Sequence, residues 1–278
     1  MRFKIYREHG ALNSKPVFDV FSQGIRHHGH IEVAANEDVA VIWSVLWRGR
    51  MKPNQQIYES AIKNNKPVII VEVGNLNRGT TWRISLNNIN GNGFFGNDND
   101  LDPTRSDKLK ITLKPPVQKR RDDILICSQL PDSLQWQGMP SVEKWINNTI
   151  TDIRKHTERK IVVRPHPRHI FYGKFSNATL EMPKAVPNTY DSFNINYNYH
   201  CIVNYNSGPA VQAAINGTPV ICDQSSLAWP VSNLLENIEN PQLPNRDDWF
   251  LKLCHTEWHL NEIAKGIPLG RLLPKIIL

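Results

Sequence analysis

The stretch that most constrains the fold is residues 161–223, where two short apolar runs each lead into a polar turn. Residues 161–163 are Ile-Val-Val, a β-branched run that predicts a buried strand. Pro165 and Pro167 end this strand because proline has no N–H group for a β-ladder. Open α/β sheets bind ligands at the carboxyl ends of their strands, so this loop is a candidate binding site. Three side chains of the loop can carry positive charge: Arg164, His166 and Arg168.

A second strand and a helix follow in the same block. Residues 201–204 predict the strand, Ser207 is a favourable N-cap, and Pro209 suits a first helical turn. Gly217 ends the helix, and residues 218–222 predict the next strand. The start of such a helix presents backbone N–H groups and the positive end of a helix dipole, which favours phosphate. Ordinary α/β turns without a ligand share these features, so that reading stays open.

These motifs resemble the C-terminal half of GT-B-type glycosyltransferases, in particular the capsule-polysaccharide (Kdo transferase-like) and CDP-glycerol glycerophosphotransferase group. The matching segments are Arg-Pro-His-Pro at 164–167, Asn-Ser at 206–207, Gln-Ala at 212–213 and Gly-Thr-Pro-Val at 217–220. The resemblance implies an α/β fold of GT-B type, with two Rossmann-type lobes and a cleft between them. It covers roughly residues 120–225, and for residues 1–115 it is a likeness of topology only.

The resemblance also implies how a nucleotide-sugar donor is held. His166 and Ser207 would contact its phosphates. Gln212 stands where the group carries an acidic residue, so it can offer a ribose diol only a neutral amide. The donor is a co-substrate, no cofactor is expected, and the helix dipole with the cationic side chains would replace a metal ion. The predicted donor site comprises Ser128, Arg164, His166, Arg168, Asn206, Ser207, Gly208, Pro209 and Gln212.

The length of 278 residues suits two lobes. Residues 1–115 are predicted to be an N-terminal acceptor-binding lobe. Residues 116–278 are predicted to be a C-terminal nucleotide-sugar-binding lobe, with terminal helices that pack back on the first lobe. Residues 1–115 carry 16 Lys and Arg against 11 Asp and Glu, and the remainder carries 17 against 15. A basic acceptor lobe favours a polyanionic acceptor.

Composition limits the setting in which the protein works. The sequence has no run of about 18 apolar residues, so no membrane span is predicted. Its four cysteines are scattered and form no Cys-x-x-Cys pair, which argues against structural zinc and a disulfide framework. The first residues predict a strand rather than a signal peptide. We therefore expect a cytoplasmic protein, in the host cytoplasm if it is viral. The sequence leaves its oligomeric state open.

Three residues of the first lobe are candidates for the base that deprotonates the acceptor: His27, His28 and Glu72. The two histidines are predicted to lie in a loop after a helix over residues 16–23. They have no helical His pair or carboxylate set beside them, so no metal site is predicted. Glu72 is predicted near the end of the fourth strand, facing the cleft. A retaining enzyme would need no such base, and the stereochemistry is open.

Aromatic and basic side chains alternate after the predicted third strand and within residues 75–107, a long stretch predicted to be irregular. These residues are candidates for acceptor contacts. They are Trp47, Arg48, Arg50, Lys52, Arg78, Trp82 and Arg83.

Three acceptor hypotheses follow. With the basic first lobe, these side chains favour double-stranded DNA that carries a hydroxymethylated pyrimidine, as in phage-type base glycosylation, with the target base flipped out. A capsule or cell-wall glycan is the alternative that the resemblance implies. A catalytically inactive, basic nucleic-acid-binding module is the third reading, and Gln212 favours it.

Overall fold

The computed structural model describes residues 1–169, 175–187 and 193–277. The chain divides into two compact units. The first unit contains Met1–Thr112, Asp132–Leu134 and Phe250–Leu278, and the second contains Leu113–Pro131 and Gln135–Trp249. The C-terminal residues therefore belong to the first unit.

The first unit is built on a six-stranded sheet with the order β13-β5-β4-β3-β1-β2. Its strands are β1 (Arg2–Ile5), β2 (Ile31–Glu32), β3 (Val39–Trp43), β4 (Val68–Val73), β5 (Trp82–Leu86) and β13 (Glu257–Trp258). The first four strands run parallel, whereas β5 and β13 are antiparallel to their neighbours. The order β2-β1-β3-β4 is that of a doubly wound sheet whose direction of growth reverses between β1 and β3.

Helices cover both faces of this sheet, so the central strands are apolar throughout and β3 is buried along its whole length. The helices of the unit are α1 (Lys15–His27), α2 (Asn54–Lys63), α3 (Arg105–Leu109), α7 (Leu260–Ala264) and α8 (Ile267–Ile276). Phe18 and Phe21 of α1 pack with α7 and α8 on one face, and Ala61 of α2 packs on the other. The first, third and fourth strands that the sequence predicts are confirmed, and the helix predicted over residues 16–23 extends to His27.

The second unit has a five-stranded, wholly parallel sheet with the order β12-β11-β6-β7-β8. Its strands are β6 (Ile124–Cys127), β7 (Ile161–Arg164), β8 (Thr179–Leu180), β11 (Cys201–Asn204) and β12 (Val220–Ile221). Counted along the chain this is the Rossmann order 3-2-1-4-5, with its reversal between β6 and β11. A small antiparallel ribbon joins β9 (Lys184–Ala185) and β10 (Phe193–Asn194).

The helix predicted between Ser207 and Gly217 is confirmed as one of the helices of the second unit. They are α4 (Val142–Ile153), α5 (Gly208–Ile215) and the beginning of α6 (Asp247–Cys254), within which the boundary between the units falls. Ser141 caps α4, because its Oγ accepts a hydrogen bond from the Lys144 N–H at 3.2 Å. Ile146, Ile150 and Ile153 point from α4 into the core.

One prediction on the first unit is wrong. Residues 75–107 contain strand β5 and the start of α3 rather than one irregular loop. Strand β5 pairs with β13, and α7 begins after His259 with Glu262 in a capping box. That strand pairing joins residues too far apart in sequence for local patterns to indicate it.

Every helix in the described part of the chain is too short or too polar to cross a membrane.

Candidate functional site

The strongest candidate site lies where the second sheet reverses. Cys127, the last residue of β6, is in register with Asn204 on one side and with Arg164 on the other. The residues that follow these three strands therefore emerge side by side at the carboxyl edge of the sheet, the edge at which parallel strands end. In open α/β sheets this reversal point is where ligands bind.

Asn204 holds the strand ends and the helix start together. Its Nδ2 donates to the Cys127 carbonyl at 2.8 Å and to Ser207 Oγ at 2.9 Å. Its Oδ1 accepts from the Ser207 N–H at 2.9 Å. The side chain is buried, so these bonds have little competition from water. This amide therefore helps to hold the start of α5 at the strand ends.

A second amide pair continues the network on the same edge. The Asn206 N–H donates to Gln129 Oε1 at 3.4 Å, and Asn206 Nδ2 donates to Ser225 Oγ at 2.8 Å. Asn206 Oδ1 is buried and has no hydrogen-bond partner among the described residues. A buried polar atom without a partner is costly in a folded chain, and this one lies beside the start of α5.

His166 is oriented by its own loop. Its N–H donates to Ser128 Oγ at 3.2 Å, which ties the loop after β7 to the residue after β6. Its ring Nδ1 accepts a hydrogen bond from the Arg168 N–H at 3.1 Å. The neutral imidazole therefore carries its proton on Nε2, so this nitrogen can act as a hydrogen-bond donor.

Helix α5 begins at this edge. Ser207 takes the extended N-cap conformation, but its Oγ bonds to Asn204 and makes no capping bond to the first helical turn. Pro209 occupies the first turn and has no N–H group to leave unsatisfied. The positive end of the helix dipole therefore points to the reversal point, which gives the arrangement the chemistry of an anion site.

Most of the predicted donor residues are brought together here. Ser128 bonds to His166, Asn206 bonds to Gln129, and Ser207 bonds to Asn204. Gly208 and Pro209 form the first turn of α5. Gln212 is half-buried one turn further along the helix, and Arg168 is exposed on the loop after β7. None of these positions establishes that a ligand binds, so the donor roles stay predictions.

Arg164 is the exception in this group. Its guanidinium is 5% exposed and is ion-paired with Glu181. It also donates to the Asn196 carbonyl at 2.9 Å and to Tyr199 Oη at 3.3 Å. Burial raises the pKa of Glu181, but hydrogen bonds from Tyr199 and Arg164 outweigh it, and the net pKa is lowered. Because its charge is already matched inside the protein, Arg164 is a poor phosphate ligand, and the structure argues against that prediction.

In the first unit, Glu72 lies at the carboxyl edge. Its Oε2 accepts a hydrogen bond from Ser44 Oγ at 2.5 Å, and its Oε1 accepts from the Val73 N–H at 2.8 Å. The side chain is half-buried. Two hydrogen-bond donors therefore orient the Glu72 carboxylate, and its role as a catalytic base stays a prediction.

His27 and His28 lie at the opposite edge of the same sheet. Helix α1 follows β1 and returns to the start of the strands, where Arg2 pairs with Ile31. His28 Nε2 contacts the Gly266 carbonyl at 2.8 Å, so this ring packs on the junction of α7 and α8. Ligands bind at the carboxyl edge. The structure thus argues against both histidines as catalytic bases and corrects the loop predicted for His27, which is the last residue of α1.

The predicted acceptor residues are divided between core and surface. The Trp47 ring is buried against Tyr58, with 5.9 Å between ring centroids, and cannot stack on a base as predicted. Arg83 is buried and its Nη2 lies 3.0 Å from Glu257 Oε1. Trp82 packs against the first core. The remaining four residues lie outside the strands and α-helices, with Arg48 half-buried and the other three exposed: Arg48, Arg50, Lys52 and Arg78.

The described residues contain no cluster of three or more His, Cys, Asp or Glu side chains that could hold a metal ion. All four cysteines are buried and unbridged. Burial raises the pKa of the Cys127 thiol to about 12, so it is not a nucleophile near neutral pH.

Sequence reasoning missed Gln129, Asn204, Ser225 and Ser44. Asn204 stands three residues before Ser207 at the end of a predicted strand, and a buried strand that ends in Asn is a local signal for a side chain bonded to the following turn. Gln129 directly follows Ser128, which was identified. Ser225 and Ser44 have no comparable signal, because their partners are brought to them by strand pairing.

Comparison with known proteins supports the fold. No protein-family model matches the chain, and no curated protein sequence is similar to it. Among solved structures, the chain is similar to the β-Kdo 2,4-transferase of Thermosulfurimonas dismutans KpsC, with a TM-score of 0.52, 11% identity, and coverage of 95% of this chain and 98% of that one. For the β-Kdo 2,7-transferase of the same KpsC, the TM-score is 0.51 at 10% identity, with coverage of 97% and 99%.

These similarities, with the two Rossmann-type sheets, confirm the predicted GT-B class of α/β fold and the resemblance to Kdo transferase-like proteins.

Proposed function

We propose that the chain is a metal-independent glycosyltransferase that moves a sugar from a nucleotide-activated donor to a hydroxyl group of a glycan. The observation that carries this proposal is the reversal point of the second sheet, where His166, Asn206 and the start of α5 converge. Sites with this combination of backbone amides, helix dipole and imidazole bind phosphate.

The donor would lie with its phosphate at the start of α5. The helix dipole and the His166 Nε2–H stabilise the negative charge that develops on the leaving phosphate. Both are fixed before the donor arrives, so they need no reorganisation during the reaction. The Asn206 side chain lies on the same edge, next to the start of α5.

The acceptor step follows from ordinary glycosyl transfer. The acceptor oxygen forms a bond to the anomeric carbon, and the bond from that carbon to the donor phosphate breaks, with the electron pair leaving on the phosphate oxygen. The hydroxyl proton passes to a base. Glu72 is the proposed base, because it alone of the three sequence candidates lies at the carboxyl edge of its sheet.

A glycan is the preferred acceptor over DNA. Two residues expected to hold nucleic acid, Trp47 and Arg83, are buried and engaged in the first unit. The similar solved structures are β-Kdo transferases, which supports an acceptor of the capsule-glycan kind. Exposed Arg50 and Lys52 remain suited to an acidic glycan.

The donor site is tested by thermal shift against CMP, CDP, UDP and GDP. A ligand at about 100 times its dissociation constant adds about 2.7 kcal/mol to the free energy of unfolding and raises the melting temperature. We expect one nucleotide to stabilise the protein and His166→Ala to abolish the shift. His156→Ala is the matched control, because His156 follows α4 on the other edge of the same sheet. No shift with any nucleotide would overturn the donor site.

The acceptor is tested by sugar transfer with the nucleotide so identified. We expect product on a capsule-type glycan and none on duplex DNA with hydroxymethylated pyrimidines. Transfer to the DNA alone would replace the glycan proposal. Salt-dependent DNA binding without any turnover would favour the inactive binding module.

A further inference from the structure

Ser44 has a backbone conformation that its side chain does not favour. It directly follows β3, which is buried along its whole length, and has φ of 62° while being 4% exposed. Six non-glycine residues among those described have positive φ: four are asparagines, Lys110 is a helix C-cap, and Ser44 is the sixth. Asparagine and C-cap residues adopt this region readily, whereas serine does so less often. A strained, buried residue at a strand end indicates a function.

The conformation gives the Ser44 hydroxyl two partners. The Ser44 N–H still donates to the Val71 carbonyl at 2.8 Å, so the sheet continues to this point. The chain then turns, and Ser44 Oγ accepts a hydrogen bond from the Leu46 N–H at 3.1 Å. With its acceptor side occupied, the hydroxyl directs its proton to Glu72 Oε2 at 2.5 Å.

The carboxylate of Glu72 is thereby held at both oxygens. Oε1 accepts from the Val73 N–H and Oε2 from the Ser44 hydroxyl. Two donors fix the plane of the carboxylate and leave lone pairs on each oxygen for a further proton. A half-buried glutamate on a strand end would otherwise sample several rotamers.

We propose that Ser44 is a positioning residue, which orients the Glu72 carboxylate toward the acceptor hydroxyl. This inference rests on the proposed function, in which Glu72 takes the hydroxyl proton as the acceptor oxygen bonds to the anomeric carbon. Ser44 does not touch the substrates, and its own proton stays on Oγ throughout. Its left-handed backbone is the conformation that brings Oγ between the Leu46 N–H and Glu72.

A double-mutant cycle tests the proposal with the full chain and the donor identified above. Ser44→Ala should lower kcat about 10- to 100-fold, since a misplacement of about 1 Å can cost that much, and should leave the KM for the donor unchanged. Glu72→Gln should lower kcat by about 100-fold or more. Because Ser44 acts through Glu72, Ser44→Ala should lower kcat less than twofold further when Glu72→Gln is already present.

Two further variants separate the hydroxyl from the backbone. Ser44→Gly removes the hydroxyl but suits a positive φ, so it should lose kcat as Ser44→Ala does. Ser85→Ala removes the hydroxyl of another fully buried serine, on β5, which has no hydrogen-bond partner in the described chain. It should keep the wild-type kcat.

The outcomes are distinguishable. Wild-type kcat in Ser44→Ala, with Glu72→Gln impaired, would overturn the inference and leave the proposed function intact. Additive losses in the double variant would also overturn it, because Ser44 would then act independently of Glu72. Full activity in Glu72→Gln would show that Glu72 is not the base, and would therefore also reject Ser44 as its positioning residue. Failure of the wild type to transfer sugar from any donor would reject the proposed function itself.

Discussion

The carboxyl edges of the two sheets hold their polar side chains in different ways. In the second unit, long-range bonds join the strand ends, but the two turns that carry the candidate ligands are also held by local bonds. Asn204 bonds to Ser207 three residues later, and His166 Nδ1 accepts from the N–H of Arg168 two residues later. In the first unit, the decisive contact of a predicted surface residue is distant. Arg83 pairs with Glu257, 174 residues further along the chain.

This difference explains which residues present themselves to a ligand. A turn whose hydrogen bonds join residues close in sequence keeps its geometry without distant contacts, so its chemistry can be identified from sequence. A basic residue whose acidic partner is distant in sequence is predicted to be exposed, although the fold buries it in an ion pair. Three arginines of the first unit are of this second kind, since each has a buried guanidinium group paired with a distant carboxylate. The pairs are Arg83 with Glu257, Arg105 with Glu262, and Arg271 with Asp100.

The largest effect expected from this comparison is on stability, from Glu257→Gln. Glu257 is fully buried and accepts hydrogen bonds from Arg83 at 3.0 Å, Thr81 at 2.8 Å and the Asn75 N–H at 2.7 Å. Removing one partner of a buried ion pair leaves the other charge uncompensated and costs about 3–5 kcal/mol. Urea unfolding should show this loss.

The control for that experiment is Asp19→Asn. Asp19 pairs with Arg7 at 2.8 Å with half of its side chain exposed, so its loss should cost less than about 1 kcal/mol. Equal losses in the two variants would mean that burial does not make the Glu257–Arg83 pair more costly to break than the exposed Asp19–Arg7 pair.

In the second unit, Asn204→Ala should cost less stability but should affect the candidate site. The change removes the hydrogen bonds to Cys127 and Ser207 and leaves buried groups unsatisfied, which costs about 2–3 kcal/mol. Because the start of α5 then loses its anchor, nucleotide affinity should fall about tenfold or more. Isothermal titration of the nucleotide measures this.

Asn216→Ala is its matched control. Asn216 is the C-cap of the same helix, and its Nδ2 donates to the Gln212 carbonyl at 2.7 Å. This variant removes an asparagine from the far end of α5 and should leave nucleotide affinity unchanged. If both variants weakened binding equally, general loosening of the helix would explain the result and the local network would not.

The sequence predicted the second unit better than the first for the same physical reason. The strand after residue 160, the loop with His166 and the helix after Ser207 depend on proline, glycine and β-branched residues within a few positions of each other. Strand β13 and the ion pair of Arg83 depend on a pairing between β5 and the C-terminal region. The sequence predicted that the helix ends before Gly24, with His27 in the loop that follows. Because α1 in fact continues to His27, this residue lies at the edge where the strands of the first sheet begin.

Arg164 belongs to the second unit, but its guanidinium is buried in an ion pair like those of the arginines in the first unit. Its partner Glu181 is 17 residues away and its guanidinium is buried. Arg164→Ala should therefore cost about 2 kcal/mol of stability, mainly through the unpaired Glu181 and the lost packing on Tyr199. Nucleotide affinity should change less than about threefold.

Arg168→Ala should show the opposite pattern. Arg168 is exposed on the loop after β7, so its removal should change stability by less than about 0.5 kcal/mol. If it contacts the donor phosphate, affinity should fall several-fold, and less so at high salt. If only Arg164→Ala strongly weakened nucleotide binding, Arg164 would be the phosphate ligand and Arg168 would not.

Acid sensitivity should be shared by both units, since each has a carboxylate tied to a buried arginine. Burial raises the pKa of Glu262, but hydrogen bonds from Arg105 and from the His259 N–H outweigh it, so the net pKa is lowered. This carboxylate stabilises the fold above the pKa of the unfolded chain, about 4.3, and the stabilisation is lost as pH falls through the lower folded pKa. Glu262→Gln should therefore flatten the loss of melting temperature between about pH 5 and pH 3.

Glu181→Gln should act in the same direction in the second unit, because the net pKa of Glu181 is also lowered. The effect should be smaller, since 40% of the Glu181 side chain is exposed and solvent screens its ion pair. A steeper loss in either variant would mean that the carboxylate is not stabilising in its charged form.

The smallest effect expected is at Gln212, where the sequence departs from the acidic residue of the Kdo transferase-like group. Gln212 is half-buried in the second turn of α5, so Gln212→Glu should fit without repacking and change stability by less than about 0.5 kcal/mol. A carboxylate accepts hydrogen bonds from a ribose diol more strongly than an amide does, and the gain of about 0.5–1 kcal/mol corresponds to roughly two- to five-fold tighter binding. Titration with the nucleotide and with its 2′,3′-dideoxy analogue measures this gain, which should be absent for the analogue. Equal tightening of both ligands would place Gln212 away from the ribose, and weaker binding of both would indicate that the carboxylate repels the donor phosphate at the same helix start.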